Sequence, residues 1–174
     1  EQAAQIYEGL YQRSTIKYYY QRLLRSYLEL GQYRDAQRLV ERRIKANPKD
    51  LYLLVDEGGI YERQKQEKKA LKCYDRAIGA VSSNLQPVPE LAQAFLSAGR
   101  ADYAARTYLA AREKTRNRQL YFQELVAVYE QAGDYESMTQ EYFDLLDKQP
   151  GMMKSIQISM QHALQEAPDG RLAS

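Results

Sequence analysis

The chain repeats itself at an interval of 34 residues. Gly31, Gly99 and Gly133 are separated by 68 and 34 positions, and Lys65 lies where the missing glycine belongs. Aromatic residues recur at the same interval, at Tyr27, Tyr61, Phe95 and Tyr129. A fixed period of this length is the signature of a repeat architecture, in which each copy is one supersecondary unit that cannot bury its apolar face alone.

Two further columns of the repeat follow the same interval and divide the chain into four copies. The first column is mostly alanine and contains Ala36, Ala70, Ala104 and Met138. The second is mostly tyrosine and contains Val40, Tyr74, Tyr108 and Tyr142. We number the copies repeat 1 to repeat 4, at residues 17–50, 51–84, 85–118 and 119–152. Because the columns keep their register over three steps, the period is 34 and not 35 residues.

Each repeat contains two apolar stripes at helical spacing, one on each side of the glycine position. In repeat 1 the stripes are Tyr20, Leu23, Leu24 and Tyr27, then Ala36, Leu39, Val40 and Ile44. Asn47-Pro48 ends the second stripe, because the residue before a proline disfavours the helical conformation. With 9 Gly and 5 Pro in 174 residues, few tight turns are available, which argues against a β-rich fold. The pattern therefore predicts an all-α chain of helix pairs.

In this arrangement the chain resembles the tetratricopeptide repeat family, a helix–turn–helix unit of 34 residues. The matching residues are Tyr20, Leu23, Tyr27, Gly31, Tyr33, Ala36 and Pro48 in repeat 1; Gly58, Tyr61, Ala70, Tyr74 and Ala77 in repeat 2; Leu91, Ala92, Phe95, Gly99, Ala104, Tyr108 and Ala111 in repeat 3; and Phe122, Leu125, Tyr129, Gly133, Tyr135, Tyr142 and Pro150 in repeat 4. The resemblance covers 136 of the 174 residues. It implies a right-handed α-solenoid of stacked antiparallel helix pairs.

Six residues depart from the family pattern. They are Leu24, Val126 and Met138, where a small residue is usual, and Glu57, Lys65 and Glu67, where leucine, glycine and tyrosine are usual. These departures concern local packing, above all in repeat 2, and leave the fold prediction in place.

The segments outside the four repeats are also predicted to be helical. Residues 1–16 read as a preceding half-repeat helix, and residues 153–174 as a terminal helix and tail. The terminal stripe consists of Met153, Ile156, Met160 and Leu164. It fits either a cap with a polar outer face or the first helix of a further repeat in a longer solenoid. Within repeat 3, a Ser- and Pro-containing loop predicts a short first helix, from Pro89 to Ala98.

Few residues offer the chemistry of a catalytic or metal site. Cys73 and His162 are the single cysteine and histidine, so no intramolecular disulfide and no His/Cys zinc site is expected. The sequence contains neither a phosphate-binding glycine loop nor a Gly-x-Ser-x-Gly motif. The apolar runs are five residues long, so no membrane insertion is expected. We expect no enzyme activity and no cofactor, and we interpret Cys73 as structural.

The resemblance also implies a ligand face, because the first helix of each repeat lines a concave groove in such solenoids. From the helix register we expect the groove to present Tyr18, Gln21, Arg22, Arg25, Tyr52, Asp56, Arg63, Glu90, Gln93 and Glu124. The formal charge is +4 for residues 1–50, +4 for 51–118 and −6 for 119–174. The groove is therefore predicted to be basic at its start and mostly acidic toward its end, and an end-to-end self-association of bipolar chains stays open.

Two features of this groove bear on its ligand. Some relatives hold an acidic tail in a clamp of Lys, Asn and Arg, but here Asp56 and Glu90 occupy two of the five places, so that clamp is not expected. Tyr18, Tyr52 and Arg22 fit either helix packing or an aromatic–cationic binding patch.

The sequence favours a non-catalytic protein–protein interaction scaffold that binds a peptide or a partner helix in the concave groove. One alternative is an accessory domain of a larger enzyme or envelope protein. The other is a single-stranded RNA binder, against which stand the 34-residue period and the acidic side chains of Asp56, Glu90 and Glu124. The cellular compartment is left undetermined by the sequence.

Overall fold

A computed structural model of the chain describes residues 2–166, and the regular secondary structure in that range consists of helices joined by turns and loops. The helices are α1 (Gln2–Arg13), α2 (Lys17–Glu29), α3 (Tyr33–Ala46), α4 (Tyr52–Arg63), α5 (Glu67–Gly79), α6 (Val88–Ser97), α7 (Ala101–Thr115), α8 (Phe122–Ala132), α9 (Tyr135–Lys148) and α10 (Met153–Glu166), with a 3-10 turn at Pro150–Met152. Consecutive helices pack against each other from α1 to α5 and again from α6 to α9. The predicted all-α fold of sequential helix pairs is therefore confirmed.

The chain forms two compact units, Glu1–Ala80 and Val81–Ser174. In the N-terminal unit, α1 to α5 pack in sequence order. In the C-terminal unit, α6 packs on α7, α7 on α8, and α8 on α9. The C-terminal unit begins with the shortest of its α-helices, because Pro87 and Pro89 flank the start of α6 at Val88–Ser97.

The same turn closes the first helix of every repeat. The backbone N–H donates to the carbonyl five residues earlier in the pairs Gln32–Tyr27, Gln66–Tyr61, Arg100–Phe95 and Asp134–Tyr129, over 2.8 to 2.9 Å. The residue before each donor is left-handed, with φ of 70° at Gly31, 60° at Lys65, 72° at Gly99 and 70° at Gly133. This is the Schellman end of a helix, in which glycine is favoured because it has no Cβ. Lys65 thus takes the glycine conformation that its position in the repeat predicts.

Replacement of Lys65 by glycine is expected to stabilise the protein by about 1 kcal/mol, since a side chain other than glycine strains a left-handed residue. The Lys65 side chain is exposed, so little packing is lost. Urea unfolding followed by circular dichroism measures the change. Gly99→Ala, at the equivalent turn, should shift the midpoint in the opposite direction, and a destabilised Lys65→Gly protein would contradict the strain at this turn.

The small-residue column lies at the centre of the fold. Ala36, Ala70 and Ala104 are fully buried, and Met138 is almost so. In the C-terminal unit, Met138, Tyr142, Leu145 and Ile156 form one core cluster, against which Met160 packs. The apolar side of α10 is thus covered in part by α9, whereas Met153 is half exposed. Of the predicted terminal segment, the side chains of His162 and Leu164 and the tail 167–174 lie outside the described residues.

The half-repeat helix before repeat 1 is present as α1, and Ala4 and Tyr11 are its buried side chains. Three residues, 14–16, connect it to α2, whereas five, 47–51, connect α3 to α4. The shorter connection explains why the 34-residue frame fits poorly before residue 17. Among residues 2–166, no helix is both long and apolar enough to cross a bilayer.

Candidate functional site

One face of α2 carries an exposed row of aromatic and basic side chains. Tyr18, Gln21, Arg22 and Arg25 are all exposed, with 51% of the Tyr18 surface accessible. The Arg22 guanidinium carbon lies 5.3 Å from the centroid of the Tyr18 ring, within cation–π range. The Arg25 Nε is 3.6 Å from the Glu29 carboxylate one turn further along the helix. The four residues of α2 predicted to line the groove therefore share one solvent-facing surface.

The opposite side of α2 is joined to α4 by two polar contacts. The fully buried Tyr20 donates its hydroxyl hydrogen to Oδ2 of Asp56 over 2.7 Å. The Lys17 ammonium lies 4.2 Å from the centroid of the Tyr52 ring, and Tyr52 is only 4% exposed. Two residues predicted to face a ligand, Tyr52 and Asp56, thus lie in the joint between the first helices of repeats 1 and 2, where they hold the two helices together.

The surroundings of Asp56 raise the pKa of its carboxyl group. Burial raises the pKa of its carboxyl group from 3.8 to about 6, while the hydrogen bond from Tyr20 and the nearby Lys17 ammonium lower it. Asp56 is still mostly ionised at pH 7, and its carboxylate is occupied by the hydrogen bond from Tyr20.

The stability of the protein is expected to depend on Asp56 between about pH 4 and pH 6. Because the pKa is higher in the folded than in the unfolded chain, the folded state binds the proton more tightly, and the contribution of Asp56 falls as the pH rises through this interval. Relative to the wild type, Asp56→Asn should gain about 1–3 kcal/mol in free energy of unfolding from pH 4 to pH 7. Urea titrations at each pH measure the difference.

Tyr20→Phe supplies a companion to that experiment. Loss of the phenol removes the hydrogen bond that lowers the pKa of Asp56, so the decline in stability should extend to higher pH. A constant difference between Asp56→Asn and wild type from pH 4 to pH 7 would show that the folded carboxyl group titrates normally.

Arg43 on α3 contacts residues of this joint and of α1. Its guanidinium hydrogen-bonds to the Tyr11 and Tyr52 hydroxyls and donates to the backbone carbonyl of Thr15. It also lies 5.4 Å from the centroid of the Tyr20 ring. Burial lowers the pKa of Arg43, but the hydrogen bonds that its guanidinium donates to the two tyrosine hydroxyls outweigh this effect, and the net pKa is raised. One arginine thus connects α1, α2, α3 and α4.

The sequence prediction missed Arg43, although the repeat carries a signal for it. The equivalent positions in the other repeats are Ala77, Ala111 and Leu145, all of them buried. A charged residue in an otherwise apolar column must find partners inside the fold or disrupt it. The same reasoning identifies Glu57, which stands in a column with Leu23, Leu91 and Leu125. Its carboxylate lies 3.6 Å from Nη1 of Arg76.

Cys73 is a buried side chain beside Glu57. Burial and, to a smaller extent, the adjacent Glu57 carboxylate together raise the pKa of its thiol to about 12. The thiolate, which is the nucleophilic form, is therefore strongly disfavoured. This supports the interpretation of Cys73 as a structural residue.

The C-terminal unit contains a bidentate ion pair between α7 and α9. Arg112 Nη1 and Nη2 donate to Oε1 and Oε2 of Glu141 over 2.7 and 2.8 Å, and both side chains are 11% exposed. Arg112 Nε donates to the carbonyl of Leu120 over 2.7 Å. The column of Arg112 is otherwise apolar and holds Ile44, Ile78 and Leu146. The column of Glu141 is otherwise uncharged and holds Leu39, Cys73 and Thr107.

The predicted groove residues outside α2 are arranged differently in the two units. In the N-terminal unit, Arg63 is exposed at the end of α4. In the C-terminal unit, Glu90 and Gln93 on α6 and Glu124 on α8 are exposed. Burial raises the pKa values of Tyr108 and Tyr121, whose ring centroids are 4.8 Å apart, and the charge of Glu124 raises them further. A groove that continues from α2 to α8 stays a prediction.

Across residues 2–166, no group of three or more His, Cys, Asp or Glu side chains is placed to hold a metal ion. A model of the family described as Tetratricopeptide repeat matches residues 22–84, which run from α2 to the loop after α5. No catalytic family is found. The comparison with curated proteins gives no match.

Proposed function

Because residues 22–84 are a tetratricopeptide repeat segment, and such domains are generally protein–protein interaction modules, we propose that the chain is a non-catalytic binding scaffold. Its ligand is a peptide or a helix of a partner protein, and the first helices of the repeats offer the binding faces, α2 and α4 in the N-terminal unit and α6 and α8 in the C-terminal unit. The proposal includes no cofactor and no nucleic-acid ligand.

The exposed row on α2 is the observation that carries this proposal. The charged side chains at buried or joint positions, among them Arg43, Arg112 and Glu141, have partners within the fold. Arg22 and Arg25 contact exposed groups, the Tyr18 ring and the Glu29 carboxylate. They project from a helix whose other side is fixed by Tyr20. A rigid helix that displays an aromatic ring and arginines to solvent has the composition of protein-binding hot spots.

Affinity capture with the 174-residue chain and paired variants tests the proposal. Arg22→Ala/Arg25→Ala alters the basic part of the face, and Glu90→Ala/Glu124→Ala alters the acidic part. Arg42→Ala/Lys45→Ala is the matched control, because it removes two exposed positive charges at the same spacing from α3. Loss of specific partners from at least one of the first two variants, with retention in the control, supports binding through this face.

One outcome of the same experiment would contradict the proposal. If every captured partner is retained by both the Arg22/Arg25 and the Glu90/Glu124 variants, the first helices of the repeats are not the binding face. Circular dichroism on each variant tests whether lost binding reflects lost folding. We expect every variant to fold, because the four replaced side chains in these two variants are exposed.

A further inference from the structure

We propose that the face of α2 formed by Tyr18, Arg22 and Arg25 is the docking site for an acidic segment of a partner protein. This inference rests on the proposed function and adds the chemistry of the partner at one part of the binding face. It lies wholly within the N-terminal unit, on a single helix.

The three residues form a short row along one side of the helix. Their spacing of four and then three positions places them on the same face over about 10 Å. The Arg25 side chain is 71% exposed. The row therefore offers one apolar ring edge and two guanidinium groups, each of which can bind a carboxylate through two parallel hydrogen bonds.

The acidic groups close to this row are already engaged. Asp56 accepts the hydrogen bond of Tyr20 on the far side of α2. Glu29 forms only an exposed pair with Arg25, at 3.6 Å. Such a pair contributes little to stability, so a partner carboxylate can take the place of Glu29 at small cost. Lys17, at the start of the same helix, lies over the Tyr52 ring and offsets the negative charge of Asp56. The net field at the start of α2 therefore favours an anionic ligand.

The surroundings of Tyr18 favour an acidic protein segment over a nucleic acid. Arg22 lies over the Tyr18 ring, and Tyr19 meets it edge-on with 5.6 Å between centroids. A base needs an open aromatic face on which to stack, and this ring is contacted from two directions. Its remaining exposed part suits contact with an apolar side chain between carboxylates.

Fluorescence anisotropy on the whole chain tests the inference with three labelled probes of equal length. The first is a short peptide of Glu and Asp with one central Phe, the second has Lys in place of the acids, and the third is oligouridine. We expect the acidic peptide to bind best and to weaken as salt is raised. Arg22→Ala/Arg25→Ala should weaken it roughly tenfold or more, and Tyr18→Ala roughly fivefold.

Two control variants test whether the loss of affinity is specific to the face of α2. Arg42→Ala/Lys45→Ala carries the same loss of charge on α3 and should leave the affinity within about twofold. Asp56→Asn should bind the acidic peptide at least as well as the wild type, because Asp56 contributes no contact to the ligand. Circular dichroism confirms that each variant retains its helices.

Three results would overturn the inference: no preference for the acidic over the Lys peptide, unchanged affinity in the Arg22/Arg25 variant, or oligouridine binding that is tighter and lost in the same variants. Affinity capture separates this failure from that of the proposed function. If partners are lost only from the Glu90/Glu124 variant, the scaffold proposal stands and the acidic-segment site is wrong.

Discussion

Replacement of Arg112 by methionine is expected to lower the free energy of unfolding by about 3–5 kcal/mol. The substitution leaves Glu141 charged at a position where 11% of its side chain is exposed, without the two hydrogen bonds that now satisfy it. The Leu120 carbonyl loses its hydrogen bond from Nε as well. Removal of one partner of a buried pair is costly mainly because the other charge remains. Urea unfolding measures the change.

The double variant Arg112→Met/Glu141→Leu distinguishes the cost of an unpaired charge from the value of the pair. It should recover most of the lost stability, because the same two columns hold Ile44 and Leu39 in repeat 1. Arg25→Ala is the exposed control and should change stability by less than about 0.5 kcal/mol. A double variant as unstable as Arg112→Met would contradict this account.

Two adjacent glycines in α4 are expected to respond to alanine in opposite directions. A Cβ at Gly58 would lie 2.2 Å from Cε1 of Tyr74, and 2.8 Å from two further ring carbons. Tyr74 is fully buried, so its ring has no free direction in which to move. We expect Gly58→Ala to destabilise by about 1–3 kcal/mol, although alanine is the better helix former. At Gly59 no atom lies within 4 Å, and Gly59→Ala should stabilise by roughly 0.5–1 kcal/mol.

A double-mutant cycle tests whether the close approach of Gly58 and Tyr74 is the cause. Repeat 1 carries Leu24 and Val40 at the equivalent positions. Gly58→Leu and Tyr74→Val should each destabilise strongly, the first by overpacking and the second by leaving a cavity. Together they should couple by more than about 1 kcal/mol in the favourable direction. Additive effects would show that the two positions do not share space.

The periodic features were predictable because they depend on local rules. The column of glycines predicted the position of the turn that the four helix ends share, and the structure shows that Lys65 adopts the same left-handed conformation there. The small residues at Ala36, Ala70 and Ala104 predicted close helix crossings for the same reason. At such positions the backbone geometry or the burial restricts which residue types fit, and this restriction is visible in the sequence.

The roles of Tyr52 and Asp56 were not predictable in the same way. Helix register placed both on the ligand face, but the rotation of α4 against α2 decides whether they meet solvent or Tyr20 and Lys17. That rotation depends on the packing of several side chains at once. The columns did contain a further signal, however, because Arg43, Glu57, Arg112 and Glu141 are charged where most other copies are apolar.

The Arg112–Glu141 pair also bears on how similar repeats find their correct order. Neighbouring copies share most of their apolar columns, so a helix could in principle pair with the wrong copy during folding, a failure common in repeat proteins. In such a mispaired state Arg112 would meet Cys73 or Leu39 in the column that Glu141 occupies, and neither offers a carboxylate. Because this ion pair can form only between the third and fourth copies, it favours the correct pairing of α7 with α9 over pairing with an earlier copy.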